Sequence, residues 1–306
     1  MAAPTASRAD ALVAPFSAGR GRTLVDVPPD ACDCHVHLYD ARYPAAAGAT
    51  LRPPDASATD YRQLQRRTGT QRVVFVTPST YGTDNSPLCD ALEAFGAQAR
   101  GVAVVDEHVS AAELAALHAR GVRGIRLNLS LGVVNSASQI EPLARRIAPL
   151  GWHLQLLAPA RMWSELVGVL DDLPVPVVFD HFARLAPSMA GKHPSHALIL
   201  RLLETRQAWV KLSGAYIVSE QGAPWYEDVA ALARSFLEAA PDRVLWGSDW
   251  PHASASAGHQ AMPDDARQME LLADWAGTSE ALHRVLVDNP VELYGFDRPT
   301  TLQENS

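Results

Sequence analysis

The chain has 306 residues, of which 47% are hydrophobic and 20% charged, and its formal net charge is −8. That length suits one α/β domain with a sizeable core, and no apolar run is long enough to cross a membrane. The acidic balance excludes a global basic field for nucleic acid or an anionic membrane surface, so an anionic ligand requires a local cluster of arginines.

Residues 1–28 are rich in Ala, Ser, Pro and Arg without sustained periodicity, and they read as a flexible N-terminal extension; the apolar core of a secretory signal is missing. From there, short apolar runs alternate with amphipathic segments. The first run, 32–38, holds Asp33-Cys34-His35-Val36-His37. Its two histidines point to one strand face where the strand opens into a loop, a pattern that suits a surface strand as well as a metal clamp or substrate site. Cys32 and Cys34 are too close along a strand to bridge, and Cys89 stands apart, so a reduced, cytoplasmic setting is expected.

The second run, 72–76, is followed by Thr77, Ser79 and Tyr81 and by a helix over 84–99, where Asp84 and Asn85 suit a cap as well as a ligand contact. The third, 102–105, ends at Asp106 and leads to a helix over 111–120. The fourth, 122–127, carries Arg123 and Arg126, which alternation points to opposite faces, then Asn128 and a helix over 138–150. The fifth, 152–157, offers Gln155, with His153 near its start, before a helix over 161–170. The sixth, 175–179, ends in Asp180-His181 and Arg184, and a helix follows over 197–205. The seventh, 209–212, carries Lys211 and leads through Ser213 to a helix over 226–239. The eighth, 243–246, runs into Gly247-Ser248-Asp249-Trp250-Pro251-His252, and a last helix spans 264–275. Residues 299–306 form a C-terminal tail.

Continuous apolar strands alternating with helices imply a parallel sheet covered by helices. Eight such units predict a closed (β/α)8 TIM barrel as a single domain over 29–298. A doubly wound open sheet fits less well, because no Gly-rich phosphate loop follows any strand. Barrel chemistry sits at the carboxyl ends of strands, where His35, His37, Arg126, His181, Arg184, Lys211 and Asp249 all fall. Trp152, Trp163, Trp209 and Trp275 read as core, and His108, His118, His193, His196, His259 and His283 as solvated.

Taken in order, Asp33-Cys34-His35-Val36-His37, Gly82-Thr83-Asp84-Asn85, Gly121-Val122-Arg123-Gly124-Ile125-Arg126, Phe179-Asp180-His181, Lys211-Leu212-Ser213-Gly214, Trp246 to His252 and Asp288-Asn289-Pro290 resemble the amidohydrolase superfamily. Within it the chain looks most like the 2-pyrone-4,6-dicarboxylate lactonase branch with its sugar- and muconolactone relatives. The resemblance implies a hydrolytic site at the barrel mouth built on His35, His37, His181 and Asp249. A lactone carbonyl attacked by water develops an oxyanion that imidazoles can stabilise, and a facing carboxylate can take the water's proton. Asp249 is the expected base, and His181 with His35 or His37 the expected carbonyl polariser.

Arg126 and Arg184 align by motif with carboxylate-binding positions of the branch. Lys211, Ser79, Thr77, Asn128 and Tyr81 complete the expected substrate shell. The chain then departs from the pattern: Asn128-Leu129-Ser130-Leu131 brings no second arginine, and Leu156-Leu157 stands in place of a tyrosine that would help hold the substrate. A lactone carrying one carboxylate, or another anion such as a sulfonate, is expected to fit at least as well as the dicarboxylate. The resemblance implies either no required cofactor or one divalent metal such as zinc on His35, His37 and Asp249. With no further histidine at the end of the fifth strand and no bridging lysine, a binuclear centre is not expected.

The expected reaction is hydrolysis of a small anionic lactone in aromatic or sugar-acid catabolism. A lactone isomerase, a metal-dependent decarboxylase and a non-catalytic binding barrel are the alternatives. The expected protein is a monomer or homo-oligomer with no nucleic-acid or membrane partner.

Overall fold

The computed structural model describes residues 12–130 and 136–298. Eight parallel strands pair in sequence order: β1 (Cys32–Val36), β2 (Arg72–Val76), β3 (Ala99–Ala103), β4 (Val122–Asn128), β5 (His153–Leu157), β6 (Val177–Phe179), β7 (Ala208–Ser213) and β8 (Val244–Gly247). The sheet curls until its edges meet, with Asp249 N donating to His35 O at 2.9 Å and His37 N to Trp250 O at 2.8 Å. Helices separate the strands, so the architecture is the expected (β/α)8 barrel.

Two apolar clusters explain the arrangement. Cys34, Val74, Val102, Val178, Trp209 and Leu245 come from six different strands and touch one another, which is possible only across the barrel interior. Tyr294 and Phe296 join them where Arg72 and Arg100, at the starts of β2 and β3, hold the carbonyls of Asp297 and Gly295 at 2.8 Å each. The larger cluster lies between strands and helices and includes Trp152, Trp163 and Trp275. Local signals set the helix ends: Ser57 and Asp60 form a capping box on Ala58–Thr68, which stops at left-handed Gly69, and Ser110 with Glu113 caps Ala111–Ala119 in the same way.

Several strand boundaries differ from the apolar runs. β3 begins at Ala99 because Arg100 and Gly101, which break the run, still pair with β2. It ends at Ala103 because the Asn85 side chain takes both backbone groups of Val104, at 3.0 and 2.8 Å. β6 starts at Val177, just after Pro176, which has no N–H to give. β8 starts at Val244 because Arg243 belongs to the preceding turn.

The expectation of a flexible stretch up to residue 28 is corrected over 14–28. Pro15 O accepts from Trp250 Nε1 at 2.8 Å, and buried Arg67 binds Ser17 Oγ and Gly21 O at 2.7 Å each. Composition misses such anchors because a few polar contacts to the barrel suffice to order an irregular segment. Residues 1–11, the tail 299–306 and Leu131 lie outside the described residues. His196 is likewise buried rather than solvated, its Nε2 2.9 Å from Ser235 Oγ. Cys32, Cys34 and Cys89 are free thiols, and no helix among the described residues is long and apolar enough to cross a membrane.

Candidate active site

The site is assembled where β1 meets β8. The register of β1 against β2 shifts between Asp33 and Val36, a bulge that re-aims the strand as it reaches the mouth. Asp33 Oδ1 pins the junction by accepting from Ser248 N at 2.9 Å and His35 N at 3.2 Å. Gly247 is required here, since a Cβ on it would lie 2.6 Å from His35 Cβ and 2.8 Å from His35 N. The close approach brings His35 beside Asp249.

Four side chains converge. Asp249 Oδ1 lies 3.6 Å from His35 Nε2, 3.9 Å from His37 Nε2 and 3.8 Å from His181 Nε2. The two histidines of β1 face each other Nε2 to Nε2 at 3.2 Å. His37 Nδ1 is 2.8 Å from Val76 O. A carbonyl only accepts, so neutral His37 carries its proton on Nδ1 and offers a lone pair at Nε2. His35 Nε2 then donates to His37, leaving His35 Nδ1 to accept from Lys211 Nζ at 3.3 Å.

Burial keeps these imidazoles neutral. His37 is pushed down to about 4 by desolvation and then by Arg126. His35 and His181 are also lowered, first by burial, with Asp180 opposing the shift at His35. Burial by itself raises Asp249, but His181, His35, His37 and the Tyr216 hydroxyl outweigh it, so the carboxyl sits below its usual range and is ionised at neutral pH.

Strained backbone carries the other half of the site. His181, Phe182, Ala183 and Arg184 all have φ between 50° and 56°, a complete left-handed turn without glycine. Such residues cost about 1–2 kcal/mol each and persist only where packing holds them. Phe182 and Ala183 are fully buried, and Trp163 Nε1 donates to Ala183 O at 2.7 Å. The buried pair anchors the turn, whose ends present His181 and Arg184 to the mouth. Asp249 and His252 are left-handed as well, at φ 67° and 58°.

Beneath the histidines lies a buried polar network. Asp180 Oδ2 accepts from Arg126 Nε at 2.9 Å and Gln155 Nε2 at 3.1 Å, while Oδ1 is 3.3 Å from His35 Nδ1 and 3.7 Å from Lys211 Nζ. Lys211 also donates to Gln155 Oε1 at 2.7 Å. Burial alone would raise Asp180, yet His35, Arg126 and Lys211 hold it well below the usual carboxylate range.

Above this floor is a cavity of about 300 Å³ lined by His37, Ser79, Arg126, Asn128, His181, Arg184, Tyr216 and Asp249, among others. Asn128 Nδ2 donates to Ser79 Oγ at 3.0 Å. Three expected substrate contacts lie outside the cavity lining. Lys211 is fully buried under His35 and does not reach the lining. Thr77 turns to Asn85 Oδ1 at 2.8 Å, and the Tyr81 hydroxyl accepts from Asp40 N at 2.8 Å. Each satisfies a polar group behind the mouth. His35 is also absent from the lining and lies behind it, 3.2 Å from His37 Nε2 and 3.6 Å from Asp249 Oδ1. The sequence reading missed Asp180, Gln155 and Tyr216 as site residues. Asp180 had a signal in its place before His181, whereas Tyr216 follows the apolar run by several residues and had none.

The donor set suits one divalent ion. Zinc bonds of about 2.0–2.2 Å in tetrahedral geometry place ligand atoms about 3.3–3.6 Å apart. His35 Nε2, His37 Nε2 and Asp249 Oδ1 stand 3.2, 3.6 and 3.9 Å apart. To bind the ion His35 would carry its proton on Nδ1 instead and donate it to Asp180 Oδ1, 3.3 Å away, as His37 does to the Val76 carbonyl; such acceptors are the outer partners that metal-binding imidazoles use. A second possible set, His35, Asp180 and His181, shares His35 with the first.

Comparison with known proteins points to one family. The amidohydrolase family model matches residues 32–296. A 2-pyrone-4,6-dicarboxylate hydrolase of Comamonas testosteroni is 36% identical over 88% of this chain and 91% of its own length. A 4-sulfomuconolactone hydrolase of Rhizobium radiobacter is 35% identical over 88% and 91%. A D-galactarolactone isomerase of Agrobacterium fabrum is 32% identical over 87% and 91%. Among solved structures, ATU3138 of Agrobacterium tumefaciens superposes with a TM-score of 0.82 at 29% identity, covering 89% of this chain and 98% of that one. A structure from Acinetobacter baumannii with citric acid bound superposes at 0.76 with 25% identity, covering 87% and 100%. With its barrel, its converging histidines and aspartate, and a match that spans nearly the whole chain, this protein belongs to the amidohydrolase family.

Proposed function

We propose that the chain hydrolyses a small anionic lactone, with Asp249 as general base. The observation that carries this reading is Asp249 Oδ1, an ionised carboxylate oxygen faced by three imidazole nitrogens beneath a cavity that two arginines line. Asp249 takes a proton from the attacking water and returns it to the leaving ring oxygen. The Ser213 hydroxyl lies 2.9 Å from His181 Nδ1. With that nitrogen accepting, His181 presents Nε2–H to the oxyanion. Neutral His37, an acceptor at Nε2, receives the proton of His35 rather than donating to the carbonyl. A divalent ion held by His35, His37 and Asp249 would supply Lewis-acid polarisation of the same carbonyl.

No carboxylate among the described residues lies within ion-pair distance of Arg184, whereas Arg126 is already paired with Asp180. Arg184 is therefore the cation left for a substrate carboxylate or sulfonate. The names of the C. testosteroni and R. radiobacter relatives, one a dicarboxylate and the other a sulfonate, fit an anionic substrate. A lactone isomerase is the second reading, favoured by the A. fabrum relative and using the same proton acceptor.

The test is a screen of 2-pyrone-4,6-dicarboxylate, muconolactones, sulfonated muconolactone and aldarolactones for loss of the lactone ring, run in ¹⁸O-water. One labelled oxygen in an open-chain acid supports hydrolysis. An isomeric lactone without label establishes the second reading, and no turnover of any member refutes both. Arg184→Met should raise KM by about 10-fold or more for the best substrate, the loss of a charge-assisted contact.

A further inference from the structure

The chemistry above uses one oxygen of Asp249. The other, Oδ2, accepts the Tyr216 hydroxyl at 2.6 Å. We propose that Tyr216 is a positioning residue that clamps the Asp249 carboxylate so that Oδ1 alone faces the cavity. The proposal rests on the reading of Asp249 as the base.

A carboxylate turns about a broad, nearly two-fold torsion, so its rotamer preference does not decide which oxygen points where. The three imidazoles stand 3.6–3.9 Å from Oδ1, too far for a short hydrogen bond to hold it. The contact at Oδ2 is the short one. It is also one-directional: an ionised carboxylate oxygen only accepts, so the phenol hydroxyl donates. A proton leaving water is then received at Oδ1, on the cavity side.

The clamp is itself held. Tyr216 sits on the short turn Ala215–Val218 after β7, which starts at left-handed Gly214. A Cβ there would stand 2.7 Å from Ile217 Cδ1 and 3.2 Å from His181 Nδ1. The Tyr216 ring meets His252 edge-on, with centroids 5.3 Å apart and planes at 85°. His252 is fully buried, with Nε2 3.0 Å from Asp265 Oδ2, and its backbone N–H returns to Asp249 O at 2.7 Å. Tyr216 and His252 thus hold the Asp249 side chain and backbone from opposite ends.

Tyr216→Phe removes one oxygen and leaves the ring packing intact. With 2-pyrone-4,6-dicarboxylate followed by pyrone absorbance, kcat should fall about 10- to 100-fold, the scale of a lost hydrogen bond to a charge, with KM changed by less than about 2-fold. The double variant Tyr216→Phe/Asp249→Asn should be no slower than Asp249→Asn alone, because the clamp acts only through that carboxylate. A crystal structure of Tyr216→Phe should show the carboxylate turned from its present orientation. Wild-type kcat, losses that multiply in the double variant, a rise in KM alone, or an unmoved carboxylate would each overturn the proposal. Failure of the lactonase reading shows separately, as absence of ring opening by the wild-type protein, and the crystallographic comparison then decides the clamp by itself.

Discussion

Lys211→Met discriminates most sharply between what the strand-end pattern suggests and what packing does with it. Methionine keeps the unbranched stem of a side chain that is fully buried, so the change removes charge and hydrogen bonds rather than volume. The main loss is the 2.7 Å bond to Gln155 Oε1, worth about 1.5–3 kcal/mol for a charged donor. Asp180 keeps Arg126 at 2.9 Å, so it is not left as an unpaired buried charge, and relief of the lysine's own desolvation offsets part of the loss. A net destabilisation of about 2 kcal/mol is expected. With an unfolding entropy of about 0.6 kcal/mol/K for 306 residues, Tm drops by about 3 °C.

His35 Nδ1 also loses the donor that directs its Nε2 proton to His37, so kcat should fall. KM should stay within about 2-fold, because the amine does not reach the cavity. Differential scanning calorimetry with steady-state kinetics on the best lactone measures all three. A tenfold rise in KM at unchanged Tm would show that Lys211 grips substrate and would refute its place in the floor.

Asp249→Asn should leave the unfolding transition close to wild type and lower kcat by about 10²–10⁴-fold, the usual contribution of a positioned base; near-normal turnover would remove Asp249 from that role. Acid sensitivity should trace in part to His153, fully buried and pushed down to about 3 by desolvation. The unfolded chain takes up this proton below about pH 6.5 and the folded one does not, so stability is intact above that value and lost as pH falls, by about 2 kcal/mol at pH 5. Urea unfolding of His153→Gln should show a pH dependence between 7.5 and 5 that is shallower by that amount, and an unchanged slope would contradict the assignment. Equilibrium dialysis against zinc should show one site per chain that His37→Ala weakens by 10-fold or more; equal binding by the variant would place the ion elsewhere.

The contrast between Arg184 and Lys211 shows how far strand-end reading reaches. Both are cations just after or within an apolar run. The left-handed turn anchored by Phe182 and Ala183 carries Arg184 up into the cavity lining, while Lys211 sits within β7 and is overlaid by His35. Alternation along a strand specifies a face and not a depth. Tyr216 was invisible for a related reason: it belongs to a turn whose path depends on Gly214 and on the ring of His252, two residues far apart in the chain.

Sequence alone determined the barrel, because eight apolar runs separated by capped amphipathic segments leave few ways to bury their surface. It also placed His35, His37, His181 and Asp249 at one end, since parallel strands all deliver their carboxyl ends to the same mouth. Tertiary structure decided the protonation and the reach of each group. The Val76 carbonyl assigns the proton of His37, Asp180 joins Arg126 to His35, and the closing of β8 on β1 past Gly247 brings the histidines to Asp249. Those outcomes depend on contacts between residues distant in the chain, made at separations of 3 to 4 Å that no local pattern encodes.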